Sequence, residues 1–120
     1  MARPPIERIV SAEPVAAVFK PAGVRARELE WTQLTLDEFE AIRLVDGEGL
    51  DQGSAAKQMG VSRPTVTRIL ASGRSKIARV LSAGQALAIE GGAVAPALNA
   101  GRRRTRGTDV GRRVQENNQN

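Results

Sequence analysis

Arg63 and Arg68 flank Pro64 and Thr67 at the start of a stretch whose apolar residues recur every third or fourth position. A guanidinium is a rigid fork of N–H donors that matches the O6/N7 pair of guanine, and a threonine brings a hydroxyl and a methyl within short reach of a base. Such side chains on one helix face can read the edges of base pairs. Ser62 precedes them and Thr65 lies among them. Short hydroxyls at a helix start cap backbone N–H groups or touch a phosphate. Arg74, Lys76 and Arg79 continue the basic series further along and suit phosphate contacts. The expected assignment is therefore Arg63, Pro64, Thr67 and Arg68 to base reading, and Ser62, Thr65, Arg74, Lys76 and Arg79 to the DNA backbone.

These residues need a helix to carry them and a second to brace it. Counted from Gln52, small Ala55 and Ala56 stand where two helices cross closely, and Gly60 falls ninth, in a tight turn that favours positive φ. Val61, Val66 and Ile69 fall tenth, fifteenth and eighteenth, where they plug one helix onto the other. That is the layout of a helix-turn-helix over Gln52–Ala71. It predicts a second helix over 52–59. A third follows over 63–82, with Ser62 as its cap, Pro64 in its first turn, and Val66, Ile69, Leu70, Gly73, Ile77, Val80 and Leu81 facing inward.

A first helix is predicted over 36–46. Thr35 and Glu38 make a capping box, Leu34 and Phe39 a hydrophobic staple, and Gly47 and Gly49 end it. Asp37, Glu38 and Glu40 suggest an acid–base or metal cluster only at first sight. The simpler expectation is a solvated face favoured by the helix dipole, with Asp37 and Glu40 pointing outward. Before this helix, Pro4, Pro5, Pro14 and Pro21 forbid a long helix. Ile9-Val10 and Val15–Phe19 read as short extended pieces, and Phe19–Gly23 as a turn. Ala86–Ile89 fits either a short strand or a last turn against the N-terminal segment. Residues 93–120 are expected to be disordered.

Composition narrows the chemistry. The 120 residues contain no Cys and no His, which removes zinc fingers, thiolate sites and Ser-His-Asp or Cys-His catalysis. No metal, no cofactor and no enzyme activity are expected. With only Phe19, Trp31 and Phe39 as aromatics, the core must come from Leu, Ile, Val and Ala, which suits short helices. No apolar run approaches the roughly 20 residues that span a bilayer, and the start lacks a secretory pattern. A soluble, cytoplasmic protein without membrane contact is expected. The net charge of +5 is unevenly spread: residues 31–60 carry −4, whereas residues 61–90 and 91–120 carry +4 each. A polyanion should therefore meet the second half. Arg3 and Arg8 suit a minor-groove arm or a loose terminus, and the run Arg102-Arg103-Arg104-Thr105-Arg106 suits non-specific attraction.

The wider pattern resembles a known family. It comprises Met1–Pro4, Phe19-Lys20-Pro21-x-Gly23, Leu34–Leu44, Glu48–Leu50, Ala55-Ala56, Met59–Arg63, Arg68–Leu70 and Ile89–Gly92. The chain is similar, over about residues 1–92, to the bacterial and archaeal UPF0251 (DUF134) family, which is described as DNA-binding. The helical part is also similar to region 4 of bacterial sigma factors, which implies a three-helix reader of promoter-type DNA. Many relatives carry cysteines after the Gly-Gly pair. This chain has none, so no metal or redox role carries over. Gly53-Ser54 departs from the acidic or polar residues usual there. Gly73 replaces an alanine and is expected to loosen the third helix by about 1 kcal/mol.

The expected fold is mainly α: a three-helix domain over 34–92, an extended Pro-rich segment over 1–33 packed on it, and a disordered basic tail over 93–120. The expected function is transcription regulation through binding of double-stranded DNA. One alternative is docking on RNA polymerase or another transcription protein through Asp37, Glu38 and Glu40. Another is RNA binding driven by the Arg-rich tail. A homodimer on paired half-sites is compatible with such a reader.

Overall fold

The computed structural model describes residues 7–96, and says nothing of the side chain of Pro96. The readings placed on Arg3, on Arg102–Arg106 and on the rest of the tail beyond residue 96 lie outside the described residues. In chain order come β1 (Arg8–Val10), β2 (Val18–Phe19), a 3-10 turn (Ala26–Glu28), β3 (Trp31–Leu34), α1 (Leu36–Ile42), a π-helical turn (Arg43–Gly47), α2 (Gln52–Met59), α3 (Arg63–Ala83), β4 (Ala86–Ile89) and β5 (Val94–Pro96).

The mainly α expectation is corrected to three helices with two small sheets. β4 is the centre of a three-stranded sheet in the order β2-β4-β3, and β1 pairs with β5. A central strand is covered on both faces and bonded on both edges, which explains the uninterrupted apolar run Ala86–Ile89, all four of whose residues are buried. β3 runs parallel to β4, with Trp31 opposite Ala86 and Leu34 opposite Ile89. Parallel neighbours need a crossover. Here the crossover is the whole helical run from α1 to α3. β1 and β5 are also parallel, with Arg8 opposite Val94. β5 lies where a disordered tail was expected, and β3 reaches back across the expected boundary at residue 33.

The helix termini follow their caps. In the capping box of α1, Glu38 Oε1 accepts from the Thr35 N–H at 2.9 Å. The helical path runs to Gly47, one residue past the expected 36–46, and after Ile42 it widens into the π-helical turn. α2 begins at Asp51, whose carboxylate accepts from the Ser54 N–H at 2.7 Å and so offsets the weak Gly53-Ser54 start. Gly60 closes α2 with φ of 68°, and the Val61 N–H bonds back to the Ala56 carbonyl. Ser62 then caps α3 by accepting from the Thr65 N–H.

Two apolar clusters meet at Ile42. One joins Ala41 and Leu44 to Ala55, Ala56 and Met59 of α2 and to Val66, Ile69 and Leu70 of α3, with Val61 packed on it. The other joins Leu34, Leu87 and Ile89 to Phe39, Ile77 and Val80. The staple pair Leu34 and Phe39 thus lies in one cluster. Leu81, expected inside, is 77% exposed, because α3 outruns the elements that cover it.

Gly73 has a different role from the one expected. A Cβ there would stand 2.8 Å from Ile42 Cδ1 and 3.2 Å from Glu38 Cβ. The missing side chain is what lets α1 and α3 approach. Gly73→Leu improves helix propensity by about 0.8 kcal/mol, so any loss must be steric. The expected result in urea unfolding is a net loss of about 2 kcal/mol or more. A stabilised variant would show that Gly73 merely loosens the helix.

Candidate nucleic-acid interface

The first turns of α3 have two unlike sides. Val66, Ile69 and Leu70 are buried against α2 and α1, while Ser62, Arg63, Pro64, Thr67 and Arg68 are exposed and Thr65 half-buried. The buried side fixes the helix; the exposed side is basic and polar. Thr65 is the local organiser. Its hydroxyl lies 2.9 Å from the Ser62 hydroxyl, and Arg68 Nη2 donates to it at 3.3 Å. Ser62 and Thr65 are therefore engaged in the cap, and Arg68 leans over it.

The N-terminus of α2 borders the same face. Thr67 Oγ1 donates to Gln52 Oε1 at 2.5 Å. The Asp51 carboxyl is held below its ordinary value, first by hydrogen bonding to Ser54, and further by the nearby Arg63 guanidinium. Gln52 and Asp51 were not singled out from the sequence. Gln52 heads the motif, but its bond to Thr67 spans fifteen residues and depends on the angle at which α2 meets α3.

The distal cations separate into three environments. At 3.6 residues per turn, Arg74 falls on the line of Arg63 and Thr67, Arg79 on the line of Arg68, and Lys76 on the line of buried Ile69. Arg79 is exposed. Arg74 is also exposed but forms a two-pronged pair with Asp46, at 2.7 and 3.0 Å. That pair lowers the pKa of Asp46, and Arg74 rises in turn. Lys76 is half-buried and donates to Glu38 Oε1 at 2.8 Å. Lys76, assigned to the DNA backbone, is engaged in an ion pair with Glu38 within the fold. Arg74 reaches an outside anion only by leaving Asp46.

The acidic helix is not a solvated face. Asp37, Glu38 and Glu40 are all buried, Glu40 to 1% exposure. This corrects the outward orientation expected for Asp37 and Glu40, and with it the acidic docking surface of the protein-interaction alternative. Beside the local capping box and the Glu40–Arg43 pair, their partners Arg8, Ser11, Ser72 and Lys76 lie on distant parts of the chain, out of sight of the helix's own periodicity. Arg8 Nε stands 3.7 Å from Asp37. Glu38 accepts from Lys76, Ser72 and the Thr35 N–H. Glu40 accepts from Arg43 and from both the N–H and the hydroxyl of Ser11, and Arg43 continues to Glu48. Burial alone would push the Glu38 and Glu40 pKa values up. The hydrogen bonds and facing cations outweigh it and hold both below the ordinary value of 4.5. These carboxylates brace the helix that supports α3.

The comparisons agree with the sequence pattern. A family model described as "Protein of unknown function DUF134" matches residues 1–96. The chain belongs to the DUF134 family. It is 53% identical over 92 residues to a UPF0251 protein of Halothermothrix orenii, covering 77% of this chain and 68% of that one. It is 54% identical to a UPF0251 protein of Moorella thermoacetica over the same share of this chain, and there it spans only 62% of the relative. A UPF0251 protein of Caldanaerobacter subterraneus subsp. tengcongensis is 51% identical, with 78% of its length covered. No solved structure matches the chain. Among the described residues, no helix is long and apolar enough to cross a membrane.

The lowered carboxyl pKa values carry a pH prediction. A group with a depressed native pKa adds stability above its unfolded value and loses it as pH falls through the native one. Stability in urea should hold between pH 7 and about 5.5 and decline below about 4.5. Glu40→Gln should cost about 1–3 kcal/mol at pH 7 by weakening the partnership with Arg43 and Ser11. The variant's stability should also fall less steeply in acid. Parallel curves for the two proteins would contradict the assignment.

Proposed function

We propose that this chain is a sequence-specific DNA-binding protein that regulates transcription, with α2, the Gly60 turn and the start of α3 acting as a helix-turn-helix. The observation that carries this reading is the two-sidedness of α3. Arg63, Pro64, Thr67 and Arg68 share an exposed face on its first turns, and the opposite face is locked to α2 through Val66 and Ile69. A face built this way can enter a major groove without the domain unfolding around it.

Arg63 and Arg68 are the base-reading groups in this account, as bidentate donors to guanine. Thr67 and Pro64 contribute close contacts between them. Ser62 and Thr65 serve the cap first and present their remaining lone pairs at its edge. Arg79, about 16 Å along the helix from Arg68, is placed for a phosphate. Arg74 joins it when a phosphate displaces Asp46. The positive balance of residues 61–90 favours this side for a polyanion.

Selection of bound sequences from a random duplex pool should return one site rather than a mixture. Arg63→Ala and Arg68→Ala should each cost about 1–3 kcal/mol on that site and relax the base preference where the arginine reads. Arg79→Ala should weaken all duplexes about equally and make the salt dependence shallower. Unchanged selection by both the Arg63 and Arg68 variants would remove α3 as the reading helix.

A further inference from the structure

We infer that Gln52 is a specificity-determining residue of this surface, and that together with Thr67 it forms a composite reader of an adenine edge. The inference rests on α3 being the DNA-facing helix. A threonine hydroxyl has one proton and two lone pairs. The Thr67 hydroxyl has Gln52 Oε1 at 2.5 Å and the Arg63 carbonyl at 3.1 Å, both of them acceptors. The much shorter contact places its single proton on Gln52 Oε1 and leaves the Arg63 carbonyl at the longer distance. Toward an outside ligand, exposed Thr67 therefore offers a lone pair and its methyl, and no donor.

Gln52 is constrained in the complementary sense. Its carboxamide oxygen is held by the Thr67 hydroxyl, so the amide nitrogen, with two N–H donors, is the end left for a ligand. The pair presents an acceptor from α3 beside a donor from α2. The major-groove edges of the four bases differ in this respect. Adenine shows an N6 amino donor next to the N7 acceptor, which is the mirror of the protein pattern. Guanine shows two acceptors, O6 and N7, and would set O6 against the Thr67 lone pair. Thymine shows an acceptor and a methyl. Cytosine shows a donor with no neighbouring acceptor of its own.

The geometry explains why such a pair can specify rather than merely touch. Gln52 is half-buried at the head of α2, and its amide oxygen is held by the Thr67 hydroxyl. Thr67 is fixed by α3. Each partner holds the other in one hydrogen-bond polarity. Removing either should free the other, so the two act as a unit.

The test uses the full chain and the site obtained by selection. Binding is compared on duplexes that vary the position at which a Gln52→Ala variant changes its preference. The wild-type chain should favour adenine there by about tenfold over guanine, within the range of one good base contact. Gln52→Ala and Thr67→Val should each cut the preference to about twofold or less, and the double variant should lose no more than either alone. Replacing that adenine by its 7-deaza analogue, which lacks the N7 acceptor, should weaken the wild-type chain and leave Gln52→Ala unaffected. Gln52→Glu keeps the oxygen to which Thr67 donates but loses both N–H donors. It should lose the adenine preference at an unchanged melting temperature, which separates reading from folding. Gln52 variants that keep the wild-type base preferences, or Gln52 and Thr67 effects that multiply independently, would overturn the inference. If Arg63→Ala also left selection unchanged, the failure would belong to the DNA-facing reading itself.

Discussion

Everything on the exposed face of α3 depends on how closely α1 can lie beneath it, and that approach is set around Glu38. The carboxylate accepts from the Thr35 N–H at the β3–α1 junction, and from Ser72 and Lys76 on α3. One residue away on α3, Gly73 has no side chain to obstruct Ile42 or Glu38 Cβ. A buried carboxylate with these partners is tolerable, whereas one without them would be costly. Ile42 belongs to both apolar clusters, so the same contact joins the helical half of the core to the sheet half. The result is a stiff base that leaves Arg63, Thr67 and Arg68 to solvent.

Charge is sorted by this arrangement in a way that the net value conceals. The acidic stretch before residue 61 does not face the basic stretch across solvent; much of it is spent inside. Glu38 and Glu40 neutralise Lys76 and Arg43 within the fold, and Asp46 occupies Arg74 at the surface. What remains outward at the start of α3 is Arg63 and Arg68, with Asp51 near the first of them.

Local signals were legible from the residues alone. The capping box at Thr35, Gly60 in the turn and the Ser62–Pro64 start put α2 and α3 within a residue of their observed limits. Long-range features were not. Trp31–Leu34 is a strand only because Ala86–Ile89 lies beside it, fifty-odd positions away, and Val94–Pro96 only because Arg8–Val10 does. The burial of Glu40 depends on Ser11, and that of Glu38 on Ser72 and Lys76, so helical periodicity could not reveal either. The same reason hid Gln52: its bond to Thr67 joins two helices and is not visible in its own neighbours.

The central claim is that duplex DNA meets the chain at the start of α3 and the head of α2. Amide chemical-shift mapping of the full chain, titrated with a duplex of random sequence and then with a selected one, tests it most directly. The account predicts perturbations concentrated on Ser62–Arg68 and Asp51–Ser54, sharper with the selected duplex, while β2 and β3 stay still. Shifts confined to the sheet or to the residues beyond 96, or none at saturating duplex, would contradict it.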